Sequence, residues 1–202
     1  VMKTEKKNCI ALFASGSGSN FQAIAEAVQQ GEIPAHIALL VCDQPDAYVI
    51  KRAEQFNIPV FSFRAKDYAS KAEFEQEIVE RLREAGVDFI FLAGYMRLIG
   101  DTLLNAYRGK IVNIHPSLLP AFPGKDAIGQ AFNARVKIAG VTVHFVDEGM
   151  DTGPIIDQES VRMAGDETRE SLQKKIQAVE HELYPRVIKK LLTEAVMEGI
   201  TE

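Results

Sequence analysis

Two cysteines are all that this 202-residue sequence contains, and neither Cys9 nor Cys42 stands in a C-x-x-C or other metal-ligand spacing. Each lies inside an apolar run that reads as a buried strand, which suits free thiols of a reducing cytoplasm rather than a disulfide framework. No apolar stretch approaches the roughly 18 residues that a membrane span needs. The start VMKTEKKNCIALFA is basic, but its short apolar run is interrupted by SGSGSN, so it is not read as a leader. Basic residues number 23 against 28 acidic ones and never cluster beyond neighbouring pairs, which argues against a nucleic-acid or anionic-membrane partner. Internal repeats, low-complexity tracts and linker-like shifts of composition are also lacking. The chain therefore reads as one cytoplasmic domain over 1–202, with residues 1–7, including the Val1 that precedes Met2, set aside as a start outside the fold.

What is present is alternation. Runs rich in Val, Ile, Leu and Phe alternate with amphipathic segments from end to end, the pattern of an α/β domain whose twisted, mostly parallel sheet carries helices on both faces. About seven strands are predicted: Cys9–Ala14, Ile37–Cys42, Val60–Phe63, Phe89–Ala93, Ile111–Ile114, Val141–Val146 and Ile155–Val161. Helical spacing of Phe21, Ile24 and Val28 predicts a helix over Ser19–Gln30, and that of Phe74, Ile78 and Leu82 another over Ser70–Ala85. Each opens on a capping-box pattern, Ser19 with Gln22 and Ser70 with Glu73. The stretch Glu167–Ala195 carries one apolar stripe, with Pro185 expected to kink it or break it into two helical pieces.

Three constellations could carry chemistry. In ALFASGSGSNFQAI a Gly/Ser turn joins the first strand to the first helix, so backbone N–H groups and a helix N-terminus converge on one spot. The functional reading is an anion site and the bland one a tight turn. Its spacing fits neither the dinucleotide fingerprint nor the Walker pattern. In VNIHPS, Asn113 and His115 stand two residues apart on extended backbone and point the same way. An amide donor beside an imidazole could hold an oxyanion and move a proton, while the alternative is a strand-end His bonded to a backbone carbonyl. In HFVDEGMDTGPII, Asp147, Glu148 and Asp151 lack calcium-loop order and have no His/Cys partner for a transition metal. A carboxylate from this loop near His115 would instead favour the imidazolium and so a general acid. His144 reads as a core residue, second in line to the site at best, and His36 and His181 as structural or exposed, with His181 and Glu180 on a solvated helix face.

Five blocks, ALFASGSGSNFQAI, LAGYMRLI, IVNIHPSLLPAFPG, GVTVHFVDEGMDTGPII and QAVEHELYP, stand in the order seen in the phosphoribosylglycinamide formyltransferase family, which the chain resembles over nearly its whole length. The resemblance implies a Rossmann-like formyltransferase fold and transfer of the formyl group of 10-formyltetrahydrofolate to the amine of 5-phosphoribosylglycinamide, in de novo purine synthesis and without a metal. It implies that Gly18, Ser19 and Asn20 hold the phosphoribosyl substrate, with Glu180 and, one turn earlier, Gln177. The bland reading of the Glu180 helix face gives way to that implication. Met96, Arg97, Leu98 and Ile99 would border the pteridine. Asp147, Glu148, Gly149, Met150 and Asp151 would close over it, with Asn113 also in contact. Lys71 stands where the family often has an arginine associated with the folate's acidic tail, and a lysine keeps the charge without the bidentate fork. For catalysis the resemblance points to Asn113, His115 and Asp151. Asn113 and protonated His115 would stabilise the oxyanion of a tetrahedral intermediate. Asp151 would keep His115 protonated and relay a proton through a water.

Rival readings differ in chemistry. Methionyl-tRNA formyltransferase normally adds a C-terminal domain for tRNA, and formyltetrahydrofolate deformylase an N-terminal regulatory one, so length, acidic charge and the glycine turn favour the small-molecule acceptor. A phosphate-binding module without catalysis would need none of Asn113, His115 and Asp151. A hydrolase would use Ser117 with His115, yet Ser117 follows Pro116 with no G-x-S-x-G elbow. The block FPGKDAIGQAF departs from some family members, and oligomeric state is not legible in the sequence.

Overall fold

A computed structural model describes residues 7–198 of the chain, with side-chain surroundings through residue 195. The expected start over 1–7 therefore lies, except for Lys7, outside the described residues. In order, the elements are β1 (Asn8–Ala14), α1 (Ser19–Gln29), β2 (Ala35–Cys42), α2 (Tyr48–Gln55), β3 (Val60–Ser62), α3 (Lys71–Glu84), β4 (Phe89–Leu92), α4 (Asp101–Ala106), β5 (Ile111–His115), α5 (Ala127–Ala134), β6 (Ile138–Phe145), β7 (Ile155–Arg162) and α6 (Arg169–Glu198). The strands form one seven-stranded sheet in the order β3-β2-β1-β4-β5-β6-β7. Pairing is parallel from β3 through β5 and antiparallel for β5–β6 and β6–β7. The chain winds outward from β1 to β3 and then crosses back to β4, so the topological switch point lies between β1 and β4, where open α/β sheets bind ligands.

Alternation along the strands separates two cores. Ile10, Leu12, Val112, Ile114, Val141 and Val143 face α1, α2 and α6, with α5 against the same core. Ala11, Phe13, Ile90, Leu92 and Ile111 face α3 and α4. By the period of two, Asn113, His115, Thr142 and His144 project from this second face, at β5 and β6, where loops stand in place of a helix. Polar residues can occupy those positions because main-chain groups of the loop after β5 meet them there, the Phe122 carbonyl at His115 and the Ser117 carbonyl at Thr142. The face to which His144 belongs, undecided from sequence, is thus that of Asn113.

The Ser70 cap forms as expected: its Oγ accepts from Glu73 N at 3.2 Å, and Glu73 Oε2 accepts from the Ala69 N–H at 3.0 Å. The expected break at Pro185 does not occur, because α6 is one helix that runs through it. Leu183, Tyr184, Val187 and Ile188 are buried on both sides of the proline, which holds the helix to the sheet despite the lost N–H. Tyr184 fastens it further, its hydroxyl donating to the Leu92 carbonyl at 2.7 Å.

Candidate active site

The turn after β1 differs from the capping box expected there. Gly18, not Ser19, is the N-cap of α1; at φ 80° it makes no side-chain cap, and its carbonyl accepts from Gln22 N at 2.9 Å. Only glycine fits, since that φ disfavours other residues and a Cβ would fall 2.4 Å from Val49 Cγ2. Ser19 is therefore the first helical residue, and the leading amides of α1 have no acceptor within the helix, as an anion site requires. From α2, Arg52 Nε donates to the Ser17 carbonyl at 2.7 Å and Val49 N to that of Gly16 at 3.1 Å, so a second helix shapes the turn.

Across from this turn, Glu180 is buried rather than on a solvated helix face. Burial pushes its carboxyl up to about 7, opposed by the Asn20 amide, which donates to Oε2 at 3.3 Å. Asn20 Oδ1 is buried without a partner among the described residues, so the pair offers two acceptors that a sugar hydroxyl could fill. Gln177 is half-buried one turn earlier on α6. His181, also read as structural or exposed, is half-buried, and burial lowers its ring's proton affinity. A groove of about 740 Å³ runs between α1 and α6 past Ser19, Arg52 and His181, and none of Asn113, His115 and Asp151 lines it.

The structure brings Asn113, His115 and Asp151 together. His115 Nε2 lies 2.9 Å from the Phe122 carbonyl, which can only accept, so Nε2 carries hydrogen and Nδ1 is left toward Asp151 Oδ2 at 3.5 Å. Both neighbours of the ring have left-handed backbone, Phe122 at φ 53° and Asp151 at φ 57°. Such a conformation is an outlier for a bulky residue like Phe and is the kind of strain held at functional sites. Asp151 Oδ2 also accepts from Gly124 N at 2.8 Å, which clips the proline loop after β5 to the loop after β6. Thr142 holds the other end of the proline loop, donating to the Ser117 carbonyl at 2.7 Å and accepting from Leu119 N at 3.0 Å.

His144 stands opposite Asn113 across the β5–β6 pair. Its Nδ1 meets the Phe145 carbonyl at 2.8 Å, and its Nε2 lies 3.5 Å from Asn113 Nδ2 and 3.9 Å from Asp151 Oδ1. Burial lowers the affinity of this ring for a second proton, against the Phe145 carbonyl and the Asp151 carboxylate, which favour it. One carboxylate thus sits between two imidazoles, and burial favours the neutral form of His144. His144 is buried, as expected of a core residue, but its place opposite Asn113 depends on the β5–β6 register, which the sequence does not carry. The Phe122 carbonyl was not detectable, since a backbone acceptor has no letter of its own.

After β4 the segment 95–100 forms a ledge. Tyr95 and Ile99 are buried, whereas Met96 and Leu98 are 77% and 46% exposed. Met150, in the loop after β6, is 55% exposed. Three large apolar side chains open to solvent fit a flat heteroaromatic ligand. Arg97 does not present a free cation: its Nε is paired with buried Asp43 at 2.8 Å, and Asp43 also accepts from Ser15 Oγ at 2.5 Å. Ser15 Oγ in turn accepts from Met96 N at 2.9 Å, joining the turn after β1 to the ledge across the switch point. Lys71, expected at the folate tail, has its Nζ on the Leu98 carbonyl at 2.9 Å. In the loop after β6, Asp147 is bonded by Thr152 Oγ1 and Gly149 N, which hold its carboxyl below the usual range, and Glu148 pairs with Arg108 at 2.7 Å.

Ser117 is buried, and its Oγ donates to the Ala121 carbonyl at 2.6 Å, with no bond to His115, so it is not poised as a nucleophile. Among the described residues, no group of three or more His, Cys, Asp or Glu side chains could hold a metal ion. No helix among them is long and apolar enough to cross a membrane.

A family model described as formyl transferase matches residues 8–188. The chain is similar to a phosphoribosylglycinamide formyltransferase of Bacillus subtilis, 61% identical over 182 residues that cover 90% of this chain and 93% of that protein. It is 39% identical to a trifunctional purine biosynthetic protein, adenosine-3, of Drosophila melanogaster, over 95% of this chain but only 14% of that longer one. The crystal structure of glycinamide ribonucleotide transformylase 1 from Geobacillus kaustophilus superposes with a TM-score of 0.91 at 61% identity, over 93% of this chain and 100% of that one.

Proposed function

The chain belongs to the formyl transferase family, and from that membership we infer that it is a folate-dependent enzyme that formylates the amine of 5-phosphoribosylglycinamide, a step of purine biosynthesis. The observation that carries the reading is the meeting of an amide, an imidazole and a carboxylate from three separate segments: Asn113, His115 and Asp151. The donor we assign is 10-formyltetrahydrofolate, with Met96 and Leu98 on one side of its ring and the loop 147–151 on the other. Cys9 and Cys42 are not joined in a disulfide, which suits a cytoplasmic setting.

The acceptor's phosphate would lie on the leading amides of α1 at Ser19 and Asn20, with Gly18 giving the backbone its close approach. Glu180 and Gln177 would hold the ribose. The substrate amine then attacks the formyl carbon, and the C–N bond to the folate nitrogen breaks after a tetrahedral intermediate. Asn113 Nδ2 has two hydrogens; one is directed to His144, and the other can donate to the oxyanion, a contact worth ~3 kcal/mol in comparable sites. The Nε2–H of His115 is committed to Phe122, so the proton that serves the reaction is the one on Nδ1. Asp151 stabilises that imidazolium and takes the proton lost by the attacking amine, which returns to the folate nitrogen as it leaves.

The test supplies both substrates. Tetrahydrofolate should form when 10-formyltetrahydrofolate and phosphoribosylglycinamide are present together, and far more slowly with the folate alone. Fast turnover without the amine would make the enzyme a deformylase.

A further inference from the structure

The ledge that we assign to the folate is fastened at every residue that does not face solvent. Tyr95 packs edge-on to Phe13 with ring centroids 5.3 Å apart, Arg97 is tied to Asp43, and Ile99 is buried. At its far end two side chains one turn apart on α3 take over. Glu75 is only 2% exposed and accepts from Gly100 N at 2.8 Å and from Leu103 N at 3.3 Å, so it caps α4 from another helix. Lys71 donates to the Leu98 carbonyl at 2.9 Å. Both side chains crowd Gly100, where a Cβ would come within 2.6 Å of Glu75 Oε1 and 2.8 Å of Lys71 Cδ.

We propose that Lys71 and Glu75 form a two-point brace that sets the height of the Met96–Gly100 ledge, and that Lys71 acts on the folate as a positioning residue, through the Leu98 main chain, rather than by gripping the acidic tail. The inference rests on the folate reading above. Its physical basis is geometric. The ammonium bonds the carbonyl of Leu98 itself, two residues after Met96, and the exposed side chains of Met96 and Leu98 would touch the ring. Glu75, being buried, fixes the pivot, so loss of Lys71 loosens the Leu98 main chain between the anchored Arg97 and Ile99.

The test uses Lys71→Met, which keeps the stem over Gly100 and removes the ammonium from an exposed site, so folding should not be at risk. KM should be measured for 10-formyltetrahydrofolate and for its pteroate analogue, which lacks the glutamate tail, alongside amide hydrogen exchange over 96–100 without ligand. The brace predicts that KM rises about 3- to 10-fold for both donors, with kcat and the KM for phosphoribosylglycinamide unchanged. It also predicts faster exchange at Met96–Gly100 and recovery of most of the KM by Lys71→Arg. A rise confined to the donor with the tail would make Lys71 a direct tail contact and overturn the proposal, as would unchanged exchange. Faster exchange with both KM values unchanged would leave the brace standing and remove the folate from the ledge.

Discussion

His144 gives the hydrogen on Nδ1 to the Phe145 carbonyl at 2.8 Å, which leaves its Nε2 as a lone pair facing Asn113 Nδ2 at 3.5 Å. An amide placed beside an acceptor must turn its NH2 group that way, and the Asn113 oxygen is thereby kept from the position where an oxyanion would meet it. The contact is long, so its value is in choosing between the two flips of the amide rather than in stability.

Replacing His144 by Leu removes that acceptor and should lower kcat about 10- to 100-fold while the KM of each substrate changes little. Steady-state kinetics with both substrates varied decides it. An unchanged kcat would show that Asn113 holds its orientation without His144.

The same ring makes stability depend on pH. Burial puts its folded-state proton affinity below the ordinary 6.5, so below that pH the unfolded chain binds the proton first. The stability associated with a neutral His144 is therefore complete above about 6.5 and is lost as pH falls from there through the lower folded value. Thermal melts of the wild type and His144→Gln over pH 5–7.5 should show that component in the wild type only, and parallel curves would exclude it.

Asp151→Asn tests the proton relay cleanly for two reasons. Asn tolerates the left-handed backbone at φ 57°, and its side-chain oxygen can still accept from Gly124 N. Charge is then the only loss, and the rate should fall about 10²- to 10⁴-fold with phosphoribosylglycinamide binding retained. Calorimetry supplies the binding measurement, and a near-normal rate would take Asp151 out of the mechanism.

Much of this architecture was legible in the sequence because long periodic segments announce themselves. All seven strands and the helices α1, α3 and α6 were placed, while α2, α4 and α5 were not drawn. The missing helices are only six to eight residues long, too short for a period to repeat, and α4 takes its cap from Glu75 on a different helix. Ser19 looked like a cap because the pattern fits; the position went to Gly18 because Val49, from α2, packs where a Cβ would be. Pro185 did not break α6, since burial on either side outweighs one missing bond. At the site, the shared face of Asn113 and His115 followed from their spacing. The nearness of Asp151 did not, because it depends on a loop that folds back over β5 and β6.

Glu180 yields the prediction with the most defined pH window. Its carboxyl, 8% exposed, is raised by burial from 4.5 to about 7. The sign for the free protein follows directly. The folded state holds this proton to a higher pH than the unfolded one, so the stability due to a neutral Glu180 is complete below about 4.5 and is lost as pH rises through about 7. The loss is on the order of 3 kcal/mol. Ribose hydroxyls, being donors, should prefer the carboxylate, so substrate binding favours the ionised form and has the opposite pH sense. The KM for phosphoribosylglycinamide should therefore fall as pH rises from 6 to 8, with up to one proton released on binding. Glu180→Gln should raise that KM, flatten its pH dependence beyond what the phosphate's own titration gives, and make the free protein more stable than the wild type at pH 8. Melts at pH 5 and 8 and KM measured across the same range check both halves. If the Gln variant kept the wild-type pH profile, Glu180 would not be the group that reads the ribose.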